Sequence, residues 1–435
     1  MVNMRIAIAG YGAEGKSSYA YWHNPENELV IVDEREIPAG DVPLDANVIT
    51  GEGVFEKLDG FDMVVRTASL APRKIRTDGT IWSGTNEFFA RCAEKSVPII
   101  GVTGTKGKGT TSSLITSILK AAGKTVHLVG NIGQPALEVL PSIQPEDIVV
   151  YELSSFQLWD LETSPQVAVV LMIEPDHLDT HADFDDYVTA KSQIAVNQLT
   201  TDRVVYNAAN VYATKIAQFS PGQRLPYPSE HTAHVRGGLF YYGETELCDE
   251  DNLLLPGRHN LENALAAITA TWPWVKEPSI IAEGLRSFAG LPHRLELVRE
   301  LDGVQYYNDS FSSAAGAAVA AIRAFTAPEV VILGGIDKGA DFTELAQVIK
   351  DAPNVKQLII IGKIRHKLAD VLRQNGVTQP VQVTDVQTMR EIVGLARQAA
   401  APGDIVILSP ACASFDMFKN FYDRGDQFRS IVQGL

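Results

Sequence analysis

Cysteine is scarce. There are three in 435 residues, Cys92, Cys248 and Cys412, far apart and with no CxxC pair. That pattern excludes a disulfide scaffold. No run approaches the ~18 consecutive apolar residues of a membrane helix, so no membrane span is expected. Cationic excess is missing too: Lys+Arg 37 against Asp+Glu 53 gives a net charge of -16. This balance excludes a generally basic nucleic-acid-binding surface, and no nucleic-acid partner is expected, although a phosphate site needs only local donors. Gly 34 and Pro 22 are near average usage, against fibrous or low-complexity character. The opening MVNMRIAIAGYGAEGKS carries one early basic residue and then breaks on glycines, unlike a secretory leader. These absences lead to the expectation of a reduced, soluble, cytoplasmic protein. What remains is ordinary globular composition, 45% apolar and 21% charged, at a length that suggests two to four domains of roughly 100–200 residues each.

Short β-branched runs recur at 5–9, 29–33, 63–66, 98–103, 125–129, 148–151, 167–173, 204–206, 330–333, 357–361 and 405–408. Most are continuously apolar rather than alternating, as in parallel strands buried on both faces. Helix-like stretches separate them, so the fold class is α/β. An amphipathic helix near 87–95 followed by a new strand marks a boundary near residue 94. The Gly-Leu-Pro at 290–292 marks another. The stretch 212–242 is turn-rich and reads as loops and hairpins.

Motifs with chemical content follow the strands. Gly10-Tyr11-Gly12-Ala13-Glu14-Gly15 comes directly after 5–9, and Asp33-Glu34-Arg35 ends the next strand. Glycines let a backbone approach a diphosphate at a helix N-terminus, and an acid about 20 residues on suits a ribose. The alternative is a plain glycine turn, and Glu14 beside a diphosphate is repulsive unless it points away. The strongest motif is Gly104-Thr105-Lys106-Gly107-Lys108-Gly109-Thr110-Thr111, between a strand and an apolar helix that stops at Gly123. Loop amides would cradle phosphates, Lys108 would neutralise β/γ oxygens, and a hydroxyl would hold Mg2+. The common phosphate loop has Ser/Thr directly after the lysine; here Gly109 intervenes before Thr110. Glu152, closing strand 148–151, is placed for Mg2+ or for a helix start. Asp176-His177-Leu178-Asp179 reads as a metal ligand cluster or a solvated cap, and Lys191 alone as a solvated helix lysine. Asn260 and Asn263 open an apolar helix at 264–271, as adenine contacts or as caps. Arg294, Asp309, Lys338 and Ser414 sit in loops after C-terminal strands, where open α/β sheets bind ligands.

Taken together, GTKGKGTT, GNIG at 130–133, ELSSFQL, PDHLD, the helix lysine, GRHNLENALAA, GLPHRLE, YNDS, GG-x-DK and LSPACASFD resemble the Mur ligases, in one order over essentially the whole chain. The resemblance implies three domains: a Rossmann-like UDP-substrate domain at 1–93, a central P-loop ATPase-like domain at 94–291, and a C-terminal Rossmann-like amino-acid domain at 292–435. It implies ATP-dependent amide formation through an acyl phosphate, in peptidoglycan precursor synthesis. The expected substrates are UDP-MurNAc-L-Ala and glutamate, expected as D-glutamate, with a monomeric enzyme. The alternatives are a related ligase with another amino acid or a folate-like acceptor, or a dehydrogenase or nucleotide sensor built on the first glycine loop.

By resemblance, Gly104 to Thr111, Asn260, Asn263, Arg294 and Asp309 bind ATP. Thr110 and Glu152 hold one Mg2+, and His177 with Lys191, as a CO2-derived carbamate, serve a second. Gly12, Ala13, Glu14, Asp33, Arg35, Asn131 and Gln157 face the UDP substrate. Ser313, Lys338, Ser414 and Phe421 face the amino acid. Two departures stand out. Phe311 occupies a position where the family commonly has lysine, and Arg66-Thr67-Ala68-Ser69 lacks the usual Ser-Pro-Gly type turn.

Overall fold

The structure is a computed structural model and describes residues 4–131, 134–337 and 339–435. The chain forms two compact units, Met1–Leu253 with Leu261–Phe288, and Leu254–Asn260 with Ala289–Leu435. Among the described residues, no helix is long and apolar enough to cross a membrane.

The first unit holds two parallel sheets. One runs, edge to edge, Asn47–Thr50, Glu28–Asp33, Arg5–Ala9, Met63–Arg66, Thr80–Ser83. The other runs Gln223–Tyr227, Arg203–Asn207, Val167–Val170, Ile99–Thr103, Ile148–Glu152, Val126–Gly130. Ile99–Thr103 is central. From its C-terminal end the chain enters the helix Lys108–Ala121, crosses to the edge strand Val126–Gly130, and returns to Ile148–Glu152 beside the start. Neighbours therefore diverge at the end of Ile99–Thr103, which opens a ligand crevice there. Apolar packing is continuous between the two sheets' layers: Phe88 and Phe89, on the helix Gly84–Glu94, lie 5.5 and 5.6 Å from the Tyr151 ring.

Two readings of the sequence change. The run at 167–173 is strand only over Val167–Val170, and its end becomes loop. Within 212–242 the hairpin is present, as Ala233–Arg236 against Leu239–Tyr242. The rest of that stretch is the helix Val211–Ala217 and the edge strand Gln223–Tyr227. Pro226 obscured this strand, but an edge position tolerates a residue without an N–H.

In the second unit the order is Glu296–Leu301, Val304–Asn308, Ile405–Leu408, Glu329–Gly334, Val355–Ile361, Val381–Val383, with the first pair antiparallel and the rest parallel. Alternate side chains serve opposite faces. Val331, Leu333, Ile405 and Ile407 pack with Leu345 and Leu368 on one side. Val330, Ile332, Val406 and Leu408 pack with Ile392 and Phe428 on the other. Two buried faces explain why these strands read as unbroken apolar runs.

Candidate active site

The phosphate loop sits in the first unit's crevice. Gly107 takes φ +85 as the residue before the helix Lys108–Ala121, and a Cβ there would lie 2.4 Å from Asn263 Oδ1. Only glycine fits both the left-handed backbone and that approach. Thr105 Oγ1 shares a hydrogen bond with Tyr187 Oη at 2.9 Å and donates to the Glu174 carbonyl at 3.0 Å, which fixes the loop's flank. Lys106 is exposed and pairs with Glu174 at 3.4 Å.

Two lysines converge on one carbonyl. Lys108 Nζ donates to Gly104 O at 2.9 Å and to Thr105 O at 3.1 Å. Lys191 Nζ donates to the same Gly104 O at 3.0 Å and to Thr103 Oγ1 at 3.3 Å. Lys191 is 1% exposed on the helix Phe184–Val196, so the reading of a solvated helix lysine does not hold. Burial drives its pKa well below the ordinary lysine value, and the charge of Lys108 adds to that; Asp176 and Glu152 oppose it. The result is an enclosed amine whose neutral form is favoured relative to an ordinary lysine.

Glu152 ends its strand beside the loop, in register with Val102. Its Oε1 accepts from Asn131 Nδ2 at 3.0 Å. Its Oε2 is buried without a hydrogen-bond partner. A carboxylate oxygen in that position suits a hard cation, and Thr110, buried in the first turn of the helix after the loop, carries an oxygen donor of the right kind. Among the described residues, no three His, Cys, Asp or Glu side chains gather to hold a metal by themselves. His177 takes φ +54 in its loop, is about half exposed, and lies with its ring 5.0 Å from Phe156. Its Nε2 lies 3.6 Å from Asp176, whose charge also acts on Lys191.

At the first sheet, Gly10 (φ +91) packs so closely that a Cβ would meet Thr67 Oγ1 at 2.3 Å. Gly12 and Ala13 form the start of the helix Ala13–Trp22. Glu14 is held by two donors: it accepts from Ala68 N at 2.8 Å and from Gln157 Nε2 at 3.0 Å. Asp33 accepts from Tyr11 N at 2.9 Å and Arg35 N at 3.0 Å, so its carboxylate ties the glycine loop to the strand end, while the Arg35 side chain is exposed. Glu14, Gln157, Arg66 and Tyr151 help to line a small cleft.

The missing Ser-Pro-Gly turn has a structural substitute that the sequence did not disclose. Arg66 is fully buried, donates through Nε to Asp160 at 2.6 Å, and pairs with it through a second nitrogen. Its remaining nitrogen holds the Thr67 and Leu70 carbonyls at 3.3 and 3.4 Å. A buried arginine thus organises the turn that Ser-Pro-Gly would otherwise set. No periodicity signals such a role.

In the second unit, the helix containing Asn260 begins at Arg258 rather than 264. Asn260 is therefore inside the first turn, with Nδ2 donating to Pro256 O at 2.7 Å. Asn263 belongs to the first unit and accepts from Thr111 Oγ1 at 3.2 Å. Asp309 is buried, accepts from Ser409 Oγ at 2.7 Å and Leu295 N at 3.2 Å, and burial pushes its pKa up to about 7. The Arg294 guanidinium lies over the Phe311 ring at 4.4 Å, and Phe421 meets Phe311 edge-on at 5.2 Å. Ser313 is exposed and Ser414 buried in the neighbouring loops. Sequence reasoning missed Arg424, which is buried and donates to Ser310 Oγ, Ser310 O and Cys412 O at 2.9, 2.8 and 3.1 Å. It pins the Asp309–Ser313 turn to the Cys412 loop. Lys338 and residues 132–133 of the GNIG segment lie outside the described residues.

Comparison with known proteins follows the same division. Residues 102–271 match the Mur ligase middle domain, and residues 293–412 match the Mur ligase glutamate ligase domain. A Symbiobacterium thermophilum protein named UDP-N-acetylmuramoylalanine--D-glutamate ligase is 40% identical, covering 89% of this chain and 87% of its own. A Clostridium botulinum protein of the same name is 35% identical, covering 99% and 97%. Among solved structures, the UDP-N-acetylmuramate-alanine ligase MurC of Thermotoga maritima shares the fold with TM-score 0.63 at 16% identity, covering 99% of this chain and 100% of that one. With the middle and glutamate-ligase regions matched in chain order and relatives aligned nearly end to end, this chain belongs to the Mur ligase family.

Proposed function

We propose that the protein joins D-glutamate to UDP-N-acetylmuramoyl-L-alanine (UDP-MurNAc-L-Ala) at the expense of ATP. The observation that carries this reading is the pair Lys108 and Lys191 on the Gly104 carbonyl, with Glu152 presenting an unpartnered oxygen at the neighbouring strand end. Relatives at 35–40% identity bearing the D-glutamate ligase name support the substrate choice. The first glycine loop favours a UDP-linked acceptor over a folate, whose ligases lack a first domain of that kind.

The division of labour follows the three larger of the four sheets. Residues 1–93 receive the UDP substrate, with Gly12, Ala13, Glu14, Asp33 and Arg35 around the uridine and diphosphate, and Asn131 and Gln157 at the muramoyl end. Residues 94–291 hold ATP on Gly104 to Thr111. Residues 292–435 bring Arg294 and Asp309 to the nucleotide and Ser313, Lys338, Ser414 and Phe421 to the amino acid. Thr110 and Glu152 would hold one Mg2+ and His177 and Lys191 a second, which would supply positive charge against the phosphate oxygens.

The acceptor carboxylate lacks a good leaving group. It attacks the γ-phosphorus of ATP, forming an acyl phosphate and releasing ADP. Lys108 leaves its loop carbonyls for the β/γ oxygens, where its charge stabilises the transferring group. The amino group of glutamate then attacks the acyl carbon, and inorganic phosphate departs. Burial favours the neutral form of the Lys191 amine, the form carbamylation needs; its addition to CO2 with loss of a proton would turn it into an anion able to support a cation. The test is phosphate release with UDP-MurNAc-L-Ala, ATP, Mg2+ and a panel of D- and L-amino acids. D-glutamate-dependent release is expected, and an absence of amino-acid-dependent release overturns the reading.

A further inference from the structure

A second polar network lies outside the phosphate loop. Arg73, on the short turn Pro72–Lys74 of the first sheet's layer, donates to the Thr180 carbonyl at 2.8 Å and to Asp186 Oδ2 at 3.2 Å. Asp186 Oδ2 also receives Ala182 N at 3.0 Å and meets His181 Nδ1 at 3.0 Å. The other ring nitrogen of His181 meets Ser155 Oγ at 3.0 Å. His181 is 3% exposed, stacked on Phe156 at an interplanar angle of 12°, with Trp159 4.7 Å away. The Arg73 guanidinium lies 5.6 Å from the Trp159 ring.

The placement gives the network its meaning. Asp186 is in the first turn of the helix that carries Lys191. Ser155 is three residues beyond Glu152. Thr180 closes the loop that carries His177, through its N–H to the His177 carbonyl at 3.0 Å. One arginine from the first sheet's layer thus holds the backbone and side chain that set three elements of the ATP-side site. The segment leading to Arg73 is the one whose Ala68 N–H binds Glu14 at the glycine loop.

We propose that Arg73 is a positioning residue for phosphoryl transfer. It holds the His177 loop and the Lys191 helix in register with the Glu152 strand end, and it anchors them to the layer proposed to receive the UDP substrate. The inference rests on the ligase reading. Arg73 and Asp186 are both partly exposed, and such a pair contributes roughly 0–1 kcal/mol to stability. An Arg73→Ala protein therefore folds, while a small displacement of reacting groups costs up to about a hundredfold in rate.

Two measurements on the full-length protein test this. In hydrogen–deuterium exchange, Arg73→Ala should speed exchange across residues 177–186 about tenfold and leave the strands Ile99–Thr103 and Ile148–Glu152 protected. In turnover assays its kcat should fall at least tenfold and the Mg2+ needed for half-saturation should rise severalfold, with the ATP KM within about twofold of wild type. Arg73→Lys, which keeps the charge but not the two-directional fork, should lie between. Unchanged exchange at 177–186 overturns the tether, and faster exchange with unchanged kcat overturns its role in positioning. If the wild-type protein releases no phosphate, the ligase reading fails instead, and the exchange arm still judges the tether.

Discussion

Replacing Glu329 with glutamine is expected to stabilise the protein, and to do so more strongly as pH rises. Glu329 opens the strand Glu329–Gly334 and is 0% exposed. Its Oε1 accepts from Asn354 Nδ2 at 2.7 Å, while Oε2 is buried with no partner. Burial pushes the carboxyl from 4.5 up to about 8. In the unfolded chain the group ionises near 4.5, whereas in the fold it keeps its proton until near 8. Between those values the folded state binds more protons, so stability falls as pH rises, and above 8 the loss is complete. Three to four pH units at about 1.4 kcal/mol each give a cost on the order of 4 kcal/mol at pH 8, and little at pH 4.5. Glutamine copies the shape and hydrogen bonding of the protonated acid and never ionises. Calorimetric unfolding of the intact protein should therefore show the Glu329→Gln transition raised on the order of 10 °C at pH 8 and by only a few degrees at pH 5. An equal gain at both pH values, or no gain at pH 8, refutes the buried-acid argument.

Other outcomes concern activity. Lys191→Ala should lower phosphate release by about a hundredfold, with partial recovery on adding small carboxylate anions; near-normal activity without them rules out the carbamate. Asp309 reaches about 7 through burial, so it gains charge as pH rises through neutrality. If it accepts from the ribose, the ATP KM should fall from pH 6 to pH 8, and Asp309→Asn should flatten that dependence in side-by-side kinetics. Phe311→Lys places a cation near the Arg294 guanidinium, which now sits 4.4 Å from the ring. At that separation in water the repulsion is about 1 kcal/mol, or roughly a fivefold rise in ATP KM, while Phe311→Trp should keep the wild-type value.

The parallel sheets were legible because each strand is buried on two faces, so a run such as Glu329–Gly334 carries its signal in unbroken apolarity. The phosphate loop was legible for a local reason: strand, glycine loop and helix lie within about 25 consecutive residues. Long-range features were not. Arg66 reaches Asp160, and Arg73 reaches Asp186, across about 94 and 113 positions. An isolated arginine carries no spacing signal for a partner so remote. Glu14 looked out of place beside a diphosphate because its sequence neighbours could not show that Ala68 and Gln157 receive it. Lys191 looked solvated because helical periodicity records which face is apolar, not that an amine is folded in beneath Gly104.

The enclosure of Lys191 also acts as a sieve. Its amine is walled by Thr103, the Gly104 carbonyl and the Tyr187 ring 4.7 Å away. At 1% exposure the amine offers almost no surface to bulky amine-directed labels. Surface lysines will therefore be tagged long before this one, and late labelling of Lys191 reports that the fold around it has opened.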